Sequence, residues 1–162
     1  MRVKICGIMR SKDVEAALNE GADALGFVVG SPSSPRNLAL PKAKRLMKSV
    51  HVFSSSVAVT SLRDAKQGLK ICEELKPDAL QLHNYTPRLI DLIKKKNSGM
   101  KFILATPIKD SSSLRQASII SHFSDAVLAD SHSPTGIGGT GKTHDWGLTA
   151  KMKKRSILTP RS

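Results

Sequence analysis

The 162-residue chain carries 26 Lys and Arg against 13 Asp and Glu, a formal net charge of +13, with 40% hydrophobic residues. That size and apolar content suit one globular domain with its own core and exclude an intrinsically disordered chain; no apolar run approaches the ~20 residues of a membrane helix. Two cysteines, Cys6 and Cys72, exclude a disulfide framework, and the start MRVKICGIMR, with Lys4 and Gly7, does not read as a secretory signal, so a cytoplasmic protein is expected.

The positive charge suits an anionic partner or a phosphorylated small molecule. Its densest clusters, Lys94–Lys96 and Lys151–Arg155, fall at the ends of expected helices, where the helix dipole favours cations. Aromatic residues are only 4%, which leaves few platforms for stacking single-stranded bases. Neither a nucleic-acid nor a membrane partner is expected.

Short apolar runs recur with helical patterns between them. The first strand is expected at Val3–Cys6, followed by a helix that Ser11 can cap and Gly21 can end. The second strand is Ala24–Val28, and Pro41 suits the first turn of the next helix. The third is Val52–Val59, after which Ser61 and Asp64 resemble a capping pair. The fourth is Ala79–Leu82; Thr86 and Pro87 then open a helix with Leu89, Ile90, Leu92 and Ile93 as its apolar stripe. The fifth is Phe102–Ala105, with Ser111–Ser113 opening a helix that ends near His122. The sixth is Ala126–Ala129, and a last helix is expected from about Leu148 to Lys154. Strand starts lie about 20 to 28 residues apart, the length of one strand–helix unit.

This βα alternation, without a hairpin signal, fits an open doubly wound sheet or a (βα)8 barrel. Six units are visible, and the chain stops about where a seventh strand is due, so the expectation is an open six-stranded sheet or an incomplete barrel. Strands covered by helices are buried on both faces, so Val3, Ile5, Leu25, Phe27, Leu80, Leu82, Ile103, Val127 and Leu128 are expected in the core.

In either architecture ligands bind at the C-terminal ends of the strands. Cys6 ends the first strand, Ser31 to Arg36 follow the second, Gln81 and His83 close the fourth, and Asp130 closes the sixth. Beyond Asp130 lies a glycine-rich loop with Gly136, Gly138, Gly139 and Gly141. Glycines let backbone N–H groups approach an anion closely. An acid at a strand end before such a loop suits a phosphorylated substrate; an ordinary acidic strand end before a flexible loop has the same residues.

KICGI, GADALGFVV, SPR, DALQLH, DAVLADS and GGTGKTHDW, in this order from Val3 to about Trp146, resemble phosphoribosylanthranilate isomerase. The resemblance implies an α/β fold of the (βα)8 TIM barrel family, here with about six βα units in a single domain over residues 1–162, lacking the last two. It implies a tryptophan-biosynthesis isomerase that needs no cofactor or metal. The reaction implied is the Amadori rearrangement of N-(5-phosphoribosyl)anthranilate to 1-(2-carboxyphenylamino)-1-deoxyribulose 5-phosphate. By the same resemblance Cys6 is the general base, Asp130 the general acid and Arg36 the contact for the anthranilate carboxylate. The resemblance puts Gly138, Gly139 and Gly141 on the phosphate side, and from their rim position Gln81 and His83 are expected to line the substrate pocket.

The chemistry suits these residue types. A carboxylic acid can protonate the ribose ring oxygen, a thiolate can take the proton that the resulting Schiff base acidifies, and a guanidinium fork matches a carboxylate. Lys4 points the same way along the strand as Cys6. Cys72 falls in the apolar stripe of its helix and is expected in the core. An incomplete barrel exposes strand edges, which favours a homo-oligomer. The alternative function is a non-catalytic phosphate-binding or assembly fragment of such a barrel.

Overall fold

The computed structural model describes residues 2–131 together with Gly147 and Ala150. Among them six strands alternate with five helices: β1 Lys4–Cys6, α1 Ser11–Asn19, β2 Ala24–Val28, α2 Leu40–Met47, β3 Ser55–Thr60, α3 Ala65–Leu75, β4 Ala79–Leu82, α4 Pro87–Lys96, β5 Lys101–Ile108, α5 Ser112–Ile120 and β6 Ala126–Ser131. The helix expected over Leu148 to Lys154 lies outside the described residues apart from Ala150. The chain divides into two compact units, Met1–Met100 and Lys101–Ser162.

In the first unit β1 to β4 pair in parallel and in sequence, with Cys6 beside Gly26, Gly26 beside Val57, and Val57 beside Ala79. Paired residues of parallel strands point to the same side, so Lys4, Cys6, Gly26, Val57, Val59, Ala79 and Gln81 share one face. Leu25, Phe27, Ala58, Leu80 and Leu82 occupy the other and are wholly buried. Helix α3 comes very close to α4: a methyl group at Gly68 would lie 2.5 Å from Ile93 Cδ1. The buried flanks of these helices are Ile71, Cys72 and Leu75 on α3 and Ile90 and Ile93 on α4.

In the second unit β5 and β6 pair in parallel, Pro107 standing beside Asp130. Helix α5 packs on one side of this ribbon, where Ile108, Leu114, Ala117 and Val127 form a small core joined by Ile120 and Ala129. Asp130 alternates with Ala129 and so projects from the side away from α5.

One device recurs in both units. Asp23, immediately before β2, accepts from the Val3 N–H at 2.6 Å while its own N–H donates to the Val3 carbonyl at 2.9 Å. Asp78 does the same with Ser56 before β4, and Asp125 with Phe102 before β6. The steps β1–β2, β3–β4 and β5–β6 are thus each stapled by an aspartate that satisfies a backbone donor of the preceding segment.

Several boundaries differ from the sequence reading. Val52 and Phe53 are 89% and 90% exposed in a turn, and β3 starts only at Ser55, where pairing with Ala24 begins. The cap of α3 is Asp64 itself, accepting from the Gln67 N–H at 2.8 Å; Ser61 instead donates its N–H to the Ser31 hydroxyl. Helix α1 is capped at Arg10 rather than Ser11, with Asp13 accepting from the Met9 and Arg10 N–H groups. Ser111 makes no side-chain cap to α5; Asp110 accepts from Ser112 there. Thr86 caps α4 as expected, accepting from the Leu89 N–H, but Leu92 of the expected stripe is exposed.

Val3, Ile5 and Leu128 are not core residues: they are 39%, 42% and 37% exposed. Val3 precedes a strand of only three residues, and β1 has one strand partner among the described residues. Leu128 is on the Asp130 side of its ribbon, away from α5. Ile103, on that same side, is half-buried. Leu25, Phe27, Leu80, Leu82 and Val127 are buried as expected.

Candidate active site

Cys6 is the last residue of β1, exposed at the C-terminal end of the strand. The room for it is made by Gly26. A methyl group at Gly26 would lie 2.8 Å from Cys6 Sγ and 3.2 Å from Lys4 Nζ. The thiol and the Lys4 ammonium therefore both stand over the same glycine, on the face that period-two alternation assigns to them.

The chain turns out of β1 at Gly7, whose φ of +87° is a conformation open to glycine and costly for other residues. The absent side chain also matters. A methyl group at Gly7 would collide with Arg36 Cδ, so the Arg36 stem lies directly over the residue after Cys6. The guanidinium is exposed, on the loop after β2. The Arg36 stem thus lies at the β1 end of the sheet, on the loop after β2.

On the same face Gln81 of β4 is 2% exposed. Its side-chain nitrogen lies 2.9 Å from His83 Nε2. An amide N–H can donate to an imidazole nitrogen that carries no proton. Gln81 Oε1 is buried and has no protein partner among the described residues. A buried carbonyl of this kind is costly to leave unpaired, which marks it as an acceptor for a group outside the described residues. Cys6, Lys4 and Gln81 are thus brought to one face of the four-strand sheet, with Arg36 above its β1 corner.

Asp130 stands at the C-terminal end of β6 in the second unit, half-buried and directed away from α5. Gly138, Gly139 and Gly141 lie outside the described residues. No group of three or more His, Cys, Asp or Glu side chains that could hold a metal ion occurs among the described residues. No helix of those residues is long and apolar enough to cross a membrane.

The two thiols differ in kind. Cys72 is 3% exposed, and burial pushes its pKa up to about 11. Below the ordinary value of 9.0 the thiol is neutral folded or unfolded. Between there and about 11 the unfolded chain ionises first, so this residue's contribution to stability is lost as pH rises through that window. Thiol titration at pH 8 is expected to label Cys6 rapidly and Cys72 only on unfolding; two equally fast thiols would contradict the placement of Cys72.

In each unit parallel strands are joined by helices and carry polar side chains at their C-terminal ends, the pattern of the βα-barrel class of enzymes. Residues 3–159 match the family model of N-(5'phosphoribosyl)anthranilate (PRA) isomerase, and the chain belongs to that family. It is 39% identical over 153 residues to the N-(5'-phosphoribosyl)anthranilate isomerase of Methanothrix thermoacetophila, covering 94% of this chain and 71% of that protein. Among solved structures, the Thermotoga maritima phosphoribosyl anthranilate isomerase aligns with a TM-score of 0.81 at 31% identity, over 96% of this chain and 73% of that one. A phosphoribosyl anthranilate isomerase solved with reduced 1-(o-carboxyphenylamino)-1-deoxyribulose 5-phosphate aligns with a TM-score of 0.77 at 27% identity, over 96% of this chain and 71% of that one.

Proposed function

We propose that the chain catalyses the Amadori rearrangement of N-(5-phosphoribosyl)anthranilate, a step of tryptophan biosynthesis, with Cys6 and Asp130 as the proton-transfer pair. The observation that carries the reading is the cluster at the end of β1: an exposed thiol given room by Gly26, with Arg36 folded over Gly7 beside it.

In this mechanism the Asp130 carboxylic acid donates its proton to the ribose ring oxygen as the C1–O bond breaks. The nitrogen lone pair forms the C1=N bond, giving a Schiff base. The Cys6 thiolate then takes the C2 proton, and that electron pair neutralises the iminium as an enolamine. The enolamine tautomerises to the C2 ketone, so atoms and charge balance without an external oxidant. Arg36 holds the anthranilate carboxylate in its planar fork. Gln81 Oε1 accepts from a substrate hydroxyl, with His83 fixing the amide orientation. The loop of Gly138, Gly139 and Gly141 takes the phosphate.

The same reading treats residues 1–162 as most of one barrel domain of a cytoplasmic enzyme. The 71% span of the Methanothrix relative supports the extent of the domain. Self-association belongs to the reading too, since the Thermotoga maritima isomerase is described as dimeric.

The test is the loss of anthranilate-type fluorescence on adding purified protein to substrate. Little conversion is expected from the 162-residue chain alone, and more when a peptide supplies the seventh and eighth βα units of a relative. Full activity from the monomeric chain would overturn the need for those units. No conversion in either arrangement would favour a non-catalytic phosphate-binding or assembly role.

A further inference from the structure

The loop that carries Arg36 is held closed by its own side chains. The Ser31 N–H donates to Asn37 Oδ1 at 2.9 Å across six residues. Inside this clasp the Ser34 N–H donates to the Ser31 carbonyl at 2.9 Å, and the Asn37 N–H to the Ser34 carbonyl at 3.0 Å. The Arg36 N–H reaches the Ser34 hydroxyl at 3.3 Å. The base of the loop is anchored as well. The Leu38 N–H donates to the Val28 carbonyl at 2.8 Å, and the Ser31 hydroxyl, in a residue 5% exposed, accepts from the Ser61 N–H at 3.1 Å. Pro32 and Pro35 remove further backbone freedom.

We propose that Asn37 is a positioning residue: its side-chain oxygen closes the loop on Ser31 and so fixes the backbone from which Arg36 reaches over Gly7 toward the substrate carboxylate. This rests on the reading of Arg36 as the carboxylate contact. Arginine has several rotatable bonds, and a guanidinium on an open loop must be ordered when substrate binds. That ordering is subtracted from affinity. The clasp performs the backbone share of that ordering beforehand, in the free protein. The carboxylate undergoes no bond change in the reaction and Asn37 touches none of the reacting atoms, so loss of the clasp is expected to act mainly on binding and to show in KM more than in kcat.

The experiment is a double-mutant cycle in the active preparation, with KM, kcat and the thermal midpoint measured for each variant. Asn37→Ala is expected to raise KM about 3- to 10-fold with kcat nearly unchanged. Arg36→Ala is expected to raise KM further, and adding Asn37→Ala to it should have no additional effect. Asn37→Asp keeps an acceptor for the Ser31 N–H and should hold KM within about twofold of the parent; this variant also covers the case in which the alanine variant fails to fold. An Asn37→Ala effect that persists in the Arg36→Ala background would overturn the proposal while leaving Arg36 as the contact. An unchanged KM in Arg36→Ala would overturn both. An Asn37→Asp variant as impaired as Asn37→Ala would overturn the role of the acceptor oxygen.

Discussion

Cys6→Ala and Asp130→Asn are each expected to lower kcat by ~10²–10⁴-fold, the usual contribution of a positioned general acid or base. The two substitutions act on different proton transfers. In the proposed mechanism Asp130→Asn removes the acid that opens the ribose ring, and Cys6→Ala removes the base that takes the C2 proton. A residue pair working in series is not additive, so the double variant should be little worse than the poorer single one. Both side chains have some contact with solvent, Cys6 being exposed and Asp130 half-buried, so neither truncation opens a core cavity. The thermal midpoints should therefore stay close to the parent value, which separates lost chemistry from lost folding. Initial rates by fluorescence decide the matter: a Cys6→Ala variant that keeps more than about a tenth of the parent kcat would remove the thiol from the mechanism.

How much of this was legible in the sequence depends on which link each feature belongs to. β2 and β4 were readable to the residue, Ala24–Val28 and Ala79–Leu82. Each is a short apolar run following an aspartate. β3 was misjudged because Val52 and Phe53 are apolar without being paired; a strand begins where a ladder begins, and the partner register is not a local property. The staple of Asp23, Asp78 and Asp125 has a plain signature: Asp-Ala followed by Leu or Val occurs at the start of β2, β4 and β6. That repeat was available from the letters alone. Its meaning was not, since it lies in a hydrogen bond to the preceding strand. The strand-end positions of Cys6, Gln81 and Asp130 followed from the βα rhythm, and Lys4 beside Cys6 from period-two alternation. Asn37 and Gly26 could not be picked out, because each acts on a residue distant in sequence.

Gly26→Ala is the substitution whose effect only the register explains. Gly26 pairs with Cys6 across β1 and β2, and its missing side chain is the floor on which the thiol stands. One added methyl group would lie 2.8 Å from Sγ, closer than real packing permits, and 3.2 Å from both Cys6 Cα and Lys4 Nζ. The exposed thiol can yield, so the chain should still fold, with a loss within the ~1–3 kcal/mol typical of overpacking. In the proposed mechanism the displaced thiol then meets the C2 proton from the wrong place. Misplacement of a catalytic group by about 1 Å can cost ~10²-fold, so kcat is expected to fall by ~10–10²-fold with a much smaller change in KM. Gly99→Ala is the matched control, since a methyl group there meets nothing within 4 Å, and it should leave kcat unchanged. In a Cys6→Ala background, Gly26→Ala should lower kcat no further, because there is no thiol left to misplace. A Gly26→Ala variant with parental kcat would show that the thiol tolerates the shift, and the fine placement of Cys6 over Gly26 would then have no catalytic consequence.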